Sequence, residues 1–223
     1  KKTFLNLLGV ENYIEYKFNK KLSSLDAKSF IEKVLVKQLD IKKIVVGKDF
    51  RFGKDRKGDT ALLKKLSGKY GYKLLIISDV KNKITNVKFS SSSIRRNINE
   101  GSFEKVSHAL GRNWFMQGKI IKGNQKARLI NFPTANMKPS NHILPKKGVY
   151  CVNIKFMGNS YKGVANFGER PTVKGVNLLL ETHIFEFTKN IYGKELTVEF
   201  LTFIRPEKKF KDFKSLTNQI KKD

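Results

Sequence analysis

Tyr150-Cys151-Val152-Asn153-Ile154-Lys155-Phe156 alternates apolar and polar side chains. With a period of two, a strand through this stretch turns Tyr150, Val152, Ile154 and Phe156 to one face and Cys151, Asn153 and Lys155 to the other. The same rhythm returns where Leu196, Val198, Phe200 and Ile204 alternate with Glu195, Thr197 and Glu199. Such segments are half-buried antiparallel strands, and short strands separated by glycine turns predict a small β-barrel. Beyond them Phe210, Phe213, Leu216 and Ile220 have helical spacing, which predicts a C-terminal helix with one face on the barrel.

Upstream the pattern changes. From Ser23 a Ser-x-x-Asp sequence leads into Ala27, Phe30, Ile31, Val34, Leu35 and Leu39, the spacing of a capped amphipathic helix. The apolar strand Ile44-Val45-Val46 ends at Gly47, residues 60–70 form a second helical pattern, and Leu74-Leu75-Ile76-Ile77 reads as another buried strand. Strands alternating with helices predict a parallel sheet with crossovers, the layout of a nucleotide-binding α/β domain. Residues 90–99 and 103–110 read as two helices closing that domain. Gly111-Arg112-Asn113 marks the boundary, so the expected domains are 1–112 and 113–223.

In 223 residues there is room for a real core, and 39% hydrophobic with 11% aromatic content argues for a folded protein rather than a disordered one. The outlier is charge: 46 Lys+Arg against 19 Asp+Glu leaves +27. That balance fits nucleic acid, an anionic membrane or phosphate-rich ligands, and equally a lysine-heavy proteome. The lysines are scattered as doublets such as Lys42-Lys43, Lys64-Lys65 and Lys208-Lys209, so a solvated surface is expected and specific nucleic-acid binding is not. A lone cysteine, Cys151, cannot form an internal disulfide, and His108, His142 and His183 lack metal-ligand spacing. A reducing, cytoplasmic setting is the expectation, with no membrane partner because no run of ~18 apolar residues occurs. The expected assembly is a monomer or a weak oligomer. The chain opens on Lys1-Lys2-Thr3-Phe4-Leu5-Asn6-Leu7-Leu8-Gly9, which reads as the last turns of a helix, so N-terminal truncation is expected.

The chemistry-bearing residues cluster in the second half. Phe132-Pro133-Thr134-Ala135-Asn136 sets a hydroxyl and an amide two residues apart after a proline, donors that can hold a hard cation and the phosphates it bridges. Alone, these residues are more often a turn than a site. Gly118 and Gly123 bracket a lysine-rich loop, residues 119–122, where backbone amides could approach phosphate, although glycines beside lysines are also common in hairpins. Glu181 and His183 lie two apart on a strand and share a face with Leu179 and Phe185. A carboxylate with apolar flanks is tuned toward proton transfer, whereas most strand carboxylates simply face water. In the first half Phe89-Ser90-Ser91-Ser92-Ser93-Ile94-Arg95 puts hydroxyls and an arginine at a helix start, an anion site or a set of caps.

Taken in order, Gly118 and Gly123, FPTAN at 132–136, LPKKGVY at 144–150, YKGVANFGERPT at 161–172, LETHIFEF at 180–187, IYGKEL at 191–196 and IRPEKKF at 204–210 resemble the riboflavin kinase half of the prokaryotic bifunctional riboflavin kinase/FMN adenylyltransferase (FAD synthetase) family. VVGKDFRFGKDRKGD at 45–59 and FSSSSIRRNINEGSF at 89–103 are similar to the later motifs of its adenylyltransferase half. The resemblance implies an incomplete α/β nucleotidyltransferase-like parallel-sheet domain followed by an antiparallel six-stranded β-barrel with a C-terminal helix. It implies ATP-dependent phosphorylation of riboflavin to FMN with Mg²⁺, FMN adenylylation to FAD by full-length members, and small molecules as the only partners.

Residue by residue, the resemblance makes Glu181 the catalytic base and Thr134 with Asn136 the metal ligands. Gly118, Lys119, Gly123 and Arg128 join Thr134, Asn136, Ser91, Ser92 and Arg95 around ATP and its phosphates. Asp49, Phe50, Arg51, Arg205 and Phe210 fall on the flavin side. Two departures stand out: Ala127 and Asn131 replace usual glycines, and no His-x-Gly-His motif precedes the first half. The second departure leads to the expectation that adenylyltransferase activity is lost. A basic RNA-binding β-barrel without catalysis is the rival reading.

Overall fold

The computed structural model describes residues 2–83, 85–123, 132–140, 143–172, 175–208 and 210–223. It divides into two compact units, Lys1–Val80 and Lys81–Asp223.

The first unit begins with α1 (Lys2–Leu7), which Gly9 ends in the left-handed region at φ +81°. A single turn, α2 (Lys20–Ser23), precedes α3 (Ala27–Ser29), whose N-cap is Asp26: its carboxylate accepts from the Ser29 amide at 2.9 Å. The Ser-x-x-Asp pattern therefore places its cap at the aspartate, while Ser23 closes α2. Helix α3 runs on into π-helical turns at Phe30–Gln38, and Leu39 N–H donates five residues back to Val34 at 3.0 Å.

Strand β1 (Lys43–Gly47) pairs in parallel with β2 (Lys73–Ile77), Ile44 opposite Leu74 and Val46 opposite Ile76. Parallel strands need a crossover. Helix α4 (Thr60–Tyr70) provides it, capped by Asp59 and stopped at Gly71, φ +71°. Ala27, Ile31, Phe52, Leu63, Leu66 and Tyr72 form the core, with Ile44, Val46 and Leu74 packed against it. Residues 74–77 are not the buried strand their apolar run predicts. Leu75 and Ile77 are each 43% exposed and Val45 is 55% exposed, because the two strands are packed on one face only.

The second unit is a closed barrel. Its strands are β3 (Trp114–Ile121), β4 (Thr134–Met137), β5 (Gly148–Phe156), β6 (Asn159–Thr172), β7 (Gly175–Ile184) and β8 (Glu195–Arg205), in the order β3-β4-β7-β6-β5-β8. Tyr150, Val152, Ile154, Leu196, Val198 and Phe200 point inward and are fully buried, as the period-two reading requires. Met157 and Gly158 take positive φ (47° and 82°) to make the tight β5–β6 hairpin.

Helices α5 (Ser91–Glu100) and α6 (Phe103–Leu110) were expected to close the first domain. Instead Ile98, Phe103 and Val106 enter the barrel core, and Phe103 stacks on Phe200 with ring centroids 5.0 Å apart. A helix joins the surface that buries its apolar face, so the compact units part at Val80 rather than near residue 112. Helix α7 (Phe213–Lys222) is capped by Asp212, which accepts from the Ser215 amide at 2.7 Å. Among the described residues no helix is long and apolar enough to cross a membrane.

Candidate functional site

Strands β4, β7 and β6 lie side by side, and their register puts Asn136, Glu181 and Asn166 in one row and Thr134 beside His183 in another. Alternation turns Ala135, Thr182 and Ala165 inward and leaves the polar residues on the outer face. His183 ties the FPTAN segment to β7: its Nδ1 donates to the Pro133 carbonyl at 2.9 Å, and Phe132 meets the imidazole edge-on at 5.1 Å. Asn136 is only 5% exposed because Gly123 covers it; a Cβ there would fall 2.5 Å from the Asn136 Nδ2. That amide donates to the Thr134 carbonyl at 3.4 Å, which fixes the Thr-x-Asn geometry.

Beside this row opens a cavity of about 300 Å³ lined by Thr134, Asn136, Thr182, Phe187, Lys189 and Tyr192 among others. Thr182 Oγ1, buried in its wall, has no hydrogen-bond partner among the described residues. Buried polar atoms are ordinarily paired, so the cavity presents an unused donor and acceptor.

Glu181 meets a charged partner in addition to the apolar neighbours that its strand face predicts. Its carboxylate is ion-paired with the Arg170 guanidinium on β6. Arg170 also reaches Glu207 Oε1 at 3.3 Å, and Asn166 Nδ2 donates to the same oxygen at 3.1 Å. The hydrogen bond to Glu181, reinforced by the charges of Glu181 and Glu207, raises the Arg170 pKa against the opposing effect of burial. Sequence reasoning put Asn166, Gly168 and Arg170 in a family motif without individual roles, and Glu207 in a segment that resembles the family's flavin-side flap. The available signal was their i, i+2, i+4 spacing on β6, which places the first three on one strand face.

The lysine-rich phosphate loop takes a different form. Gly118 and Lys119 lie within β3, opposite Leu196 and Glu195, and a Cβ at Gly118 would sit 3.1 Å from Met137 Cγ. Strand packing accounts for a glycine at that position, and Gly123 borders the FPTAN row. Arg128, with Ala127 and Asn131, lies outside the described residues.

Arg205 and Phe210 are neighbours, the guanidinium 5.8 Å from the ring centre. Arg205 is held bidentately by Asp223 at 2.8 and 2.5 Å. Of the serine run, Ser90 caps α5 and forms a reciprocal capping box with Ser93, while Ser91, Ser92 and Arg95 are exposed. In the first unit Arg51 pairs with Asp59 at 3.2 Å, Phe50 stacks on Phe52 at 5.5 Å, and Asp49 occupies the same turn. Among the described residues no cluster of three or more His, Cys, Asp or Glu could hold a metal. A cation here would rely on neutral oxygens such as those of Thr134 and Asn136 together with ligand phosphates, a donor set that suits a hard cation.

The chain is similar to proteins already known. A riboflavin kinase family model matches residues 110–223 and an FAD synthetase model matches residues 1–93. The bifunctional riboflavin kinase/FMN adenylyltransferase of Buchnera aphidicola subsp. Acyrthosiphon pisum is 41% identical over 211 residues, covering 93% of this chain and 66% of that protein. The Haemophilus influenzae protein of the same name is 37% identical over 222 residues, covering 99% and 71%. The chain thus spans about two thirds of the length of these relatives. Among solved structures, a Streptococcus pneumoniae protein described as a macrolide-efflux protein superposes with a TM-score of 0.90 at 30% identity, covering all of this chain and 71% of that one. The RNA-binding reading finds no support in these likenesses. Two family models in the order of the two units, with relatives matched almost end to end along this chain, show that it belongs to the bifunctional riboflavin kinase/FMN adenylyltransferase family.

Proposed function

We propose that this chain transfers the terminal phosphoryl group of ATP to the 5′-hydroxyl of riboflavin, within residues 113–223. The observation that carries the reading is the register of β4 and β7, which sets Thr134 opposite His183 and Asn136 opposite Glu181, with Thr134 and Asn136 also lining the cavity. Phosphoryl transfer requires phosphates held in place, their charge neutralised, and the attacking hydroxyl positioned. In this reading Thr134 and Asn136 would hold Mg²⁺ beside the phosphates, and the cavity would receive the nucleotide. The metal supplies charge neutralisation on the phosphates. Glu181 orients the ribityl hydroxyl and accepts its proton. Gly118, Lys119, Gly123 and Arg128 are assigned to the phosphate side, and Arg205 and Phe210 to the flavin side.

For the adenylyl-transfer region we assign phosphate contacts to Ser91, Ser92 and Arg95 and flavin contacts to Asp49, Phe50 and Arg51. The 223-residue polypeptide carries no His-x-Gly-His sequence. On its own it is expected to form little FAD.

The test is chromatography of flavins after incubation with riboflavin and MgATP. FMN should accumulate, and Glu181→Gln should lower kcat by roughly a hundredfold. Thr134→Ala should chiefly raise KM for MgATP. Turnover unaffected by Glu181→Gln would sink the assignment.

A further inference from the structure

Glu207 occupies a made-to-measure seat. Alternation along β6 points Asn166, Gly168 and Arg170 to the outer face of the barrel, and the Glu207 carboxylate lies across all three. It accepts from Asn166 Nδ2 at 3.1 Å and from Arg170 Nη1 at 3.3 Å. Between them Gly168 makes room: a Cβ at that position would fall 2.0 Å from Glu207 Oε1. Two polar donors flanking a glycine thus form a carboxylate cradle, and any side chain in the middle would evict its occupant. The Glu207 side chain is 31% exposed although it follows β8 in an open segment. That fits a docked group better than a solvated one.

The cradle leads directly to Glu181. Arg170 donates through Nη1 to Glu207 and through Nη2 to Glu181, so one guanidinium is divided between two carboxylates that come from different parts of the chain. A guanidinium fork is planar and rigid, and fixing one prong fixes the other. Here Arg205, just upstream of Glu207, is itself anchored to Asp223.

We propose that Glu207 is a positioning residue for the phosphoryl-transfer reaction. Docked in the Asn166–Gly168–Arg170 cradle, it holds the segment that follows β8 against β6 and takes half of the Arg170 fork, so that Arg170 aims Glu181 at the acceptor hydroxyl. With the cradle empty, Arg170 is free to turn onto Glu181 alone, and the carboxylate loses its aim. Docking of the segment after β8 and readiness of the base are therefore one event. This inference rests on the kinase reading above, with Glu181 as the base.

Glu207→Gln removes the charge at constant size, and Gly168→Ala fills the seat while leaving Glu207 intact. Two readouts separate the inference from the reading beneath it. The first is tryptic cleavage after Lys208, which needs no activity; both variants should be cut several-fold faster than wild type as the segment leaves the cradle. The second is steady-state FMN formation: both variants should lose about tenfold in kcat, with KM for MgATP within about twofold of wild type, as a misaimed base predicts. Glu207→Gln combined with Arg170→Lys should lose no more than the worse single variant, since both act through one fork.

Unchanged cleavage after Lys208 in both variants would overturn the docking, and kcat within about twofold of wild type in both would overturn the coupling to Glu181. A wild-type chain that makes no FMN would overturn the kinase reading instead, and the proteolysis would still report on the cradle.

Discussion

The two units bury apolar strands by different means. In the barrel every strand has a hydrogen-bonded neighbour on both sides, and curling the sheet on itself gives the inner residues of β5 and β8 a complete shell; Val152, Ile154, Leu196, Val198 and Phe200 are wholly buried. In the first unit, among the described residues, β1 and β2 pair only with each other, and helices cover one face. Val45, Leu75 and Ile77 are as apolar as their counterparts in the barrel yet face outward. Hydrophobicity makes a strand able to be buried; closure, or a second covering layer, decides whether it is.

Core truncation should separate the units most sharply. Phe200 stacks on Phe103 and touches Trp114 and Tyr150, all with ring centroids 5.0 Å from its own. Phe200→Ala should cost ~3–5 kcal/mol in urea denaturation, through lost transfer energy and a cavity that rings on three sides cannot collapse into. A loss below ~1 kcal/mol would mean that the barrel core is loosely packed.

Native-state hydrogen exchange asks the same question without mutation. The amides of β1 and β2 should exchange at least about a hundredfold faster than those of β5 and β8, equivalent to ~2.7 kcal/mol, because the open sheet can unfold sub-globally while the barrel unfolds as a whole. Equal protection would show the two units to be one cooperative block.

A smaller effect concerns how the barrel holds its C-terminal helix. Burial works to raise the Asp223 carboxyl, but hydrogen bonds from Arg205 and Gln219 and the charge of Arg205 outweigh it and hold the group below its ordinary 3.8. A depressed carboxyl contributes stability above its unfolded-state pKa and loses it as pH falls through the folded value, so the increment should begin to fall near the ordinary 3.8 and vanish only once the pH is below the folded value. Asp223→Asn should cost ~1–2 kcal/mol at pH 7 and nothing at the acid end of the titration, as followed by circular dichroism. The smallest effect belongs to the bare sheet face: Leu75→Ser should change stability by less than ~0.5 kcal/mol, and a larger loss would reveal a cover on that face.

Much of this arrangement is legible from residue spacing. The period-two runs at 150–156 and 196–204 became β5 and β8, the helical pattern at 60–70 became α4, and left-handed glycines at 9, 71, 101 and 111 follow helix ends. Thr134, Asn136, Glu181 and His183 were named from motifs, and the barrel places them together. The Arg170 fork was not legible, because Glu207 lies 37 residues further along the chain. Nor was the fate of residues 91–110: their helical period was plain, but periodicity states which face is apolar and not which core receives it.

By itself the sequence determined what depends on neighbours one to four residues away. This covers the alternation of each barrel strand, the caps at Asp26, Asp59, Ser90 and Asp212, the glycine stops at Gly71 and Gly101, and the identity of the motif residues. Tertiary structure alone decided what depends on residues far apart in the chain. Only it could close β3 onto β8, set Asn136 beside Glu181, leave one face of the β1–β2 sheet exposed, and seat Glu207 over Gly168. The physical reason is reach. Backbone periodicity and capping act within a turn or a pleat, whereas burial, register between strands and shared ion pairs exist only once distant segments have been brought within a few ångströms of one another.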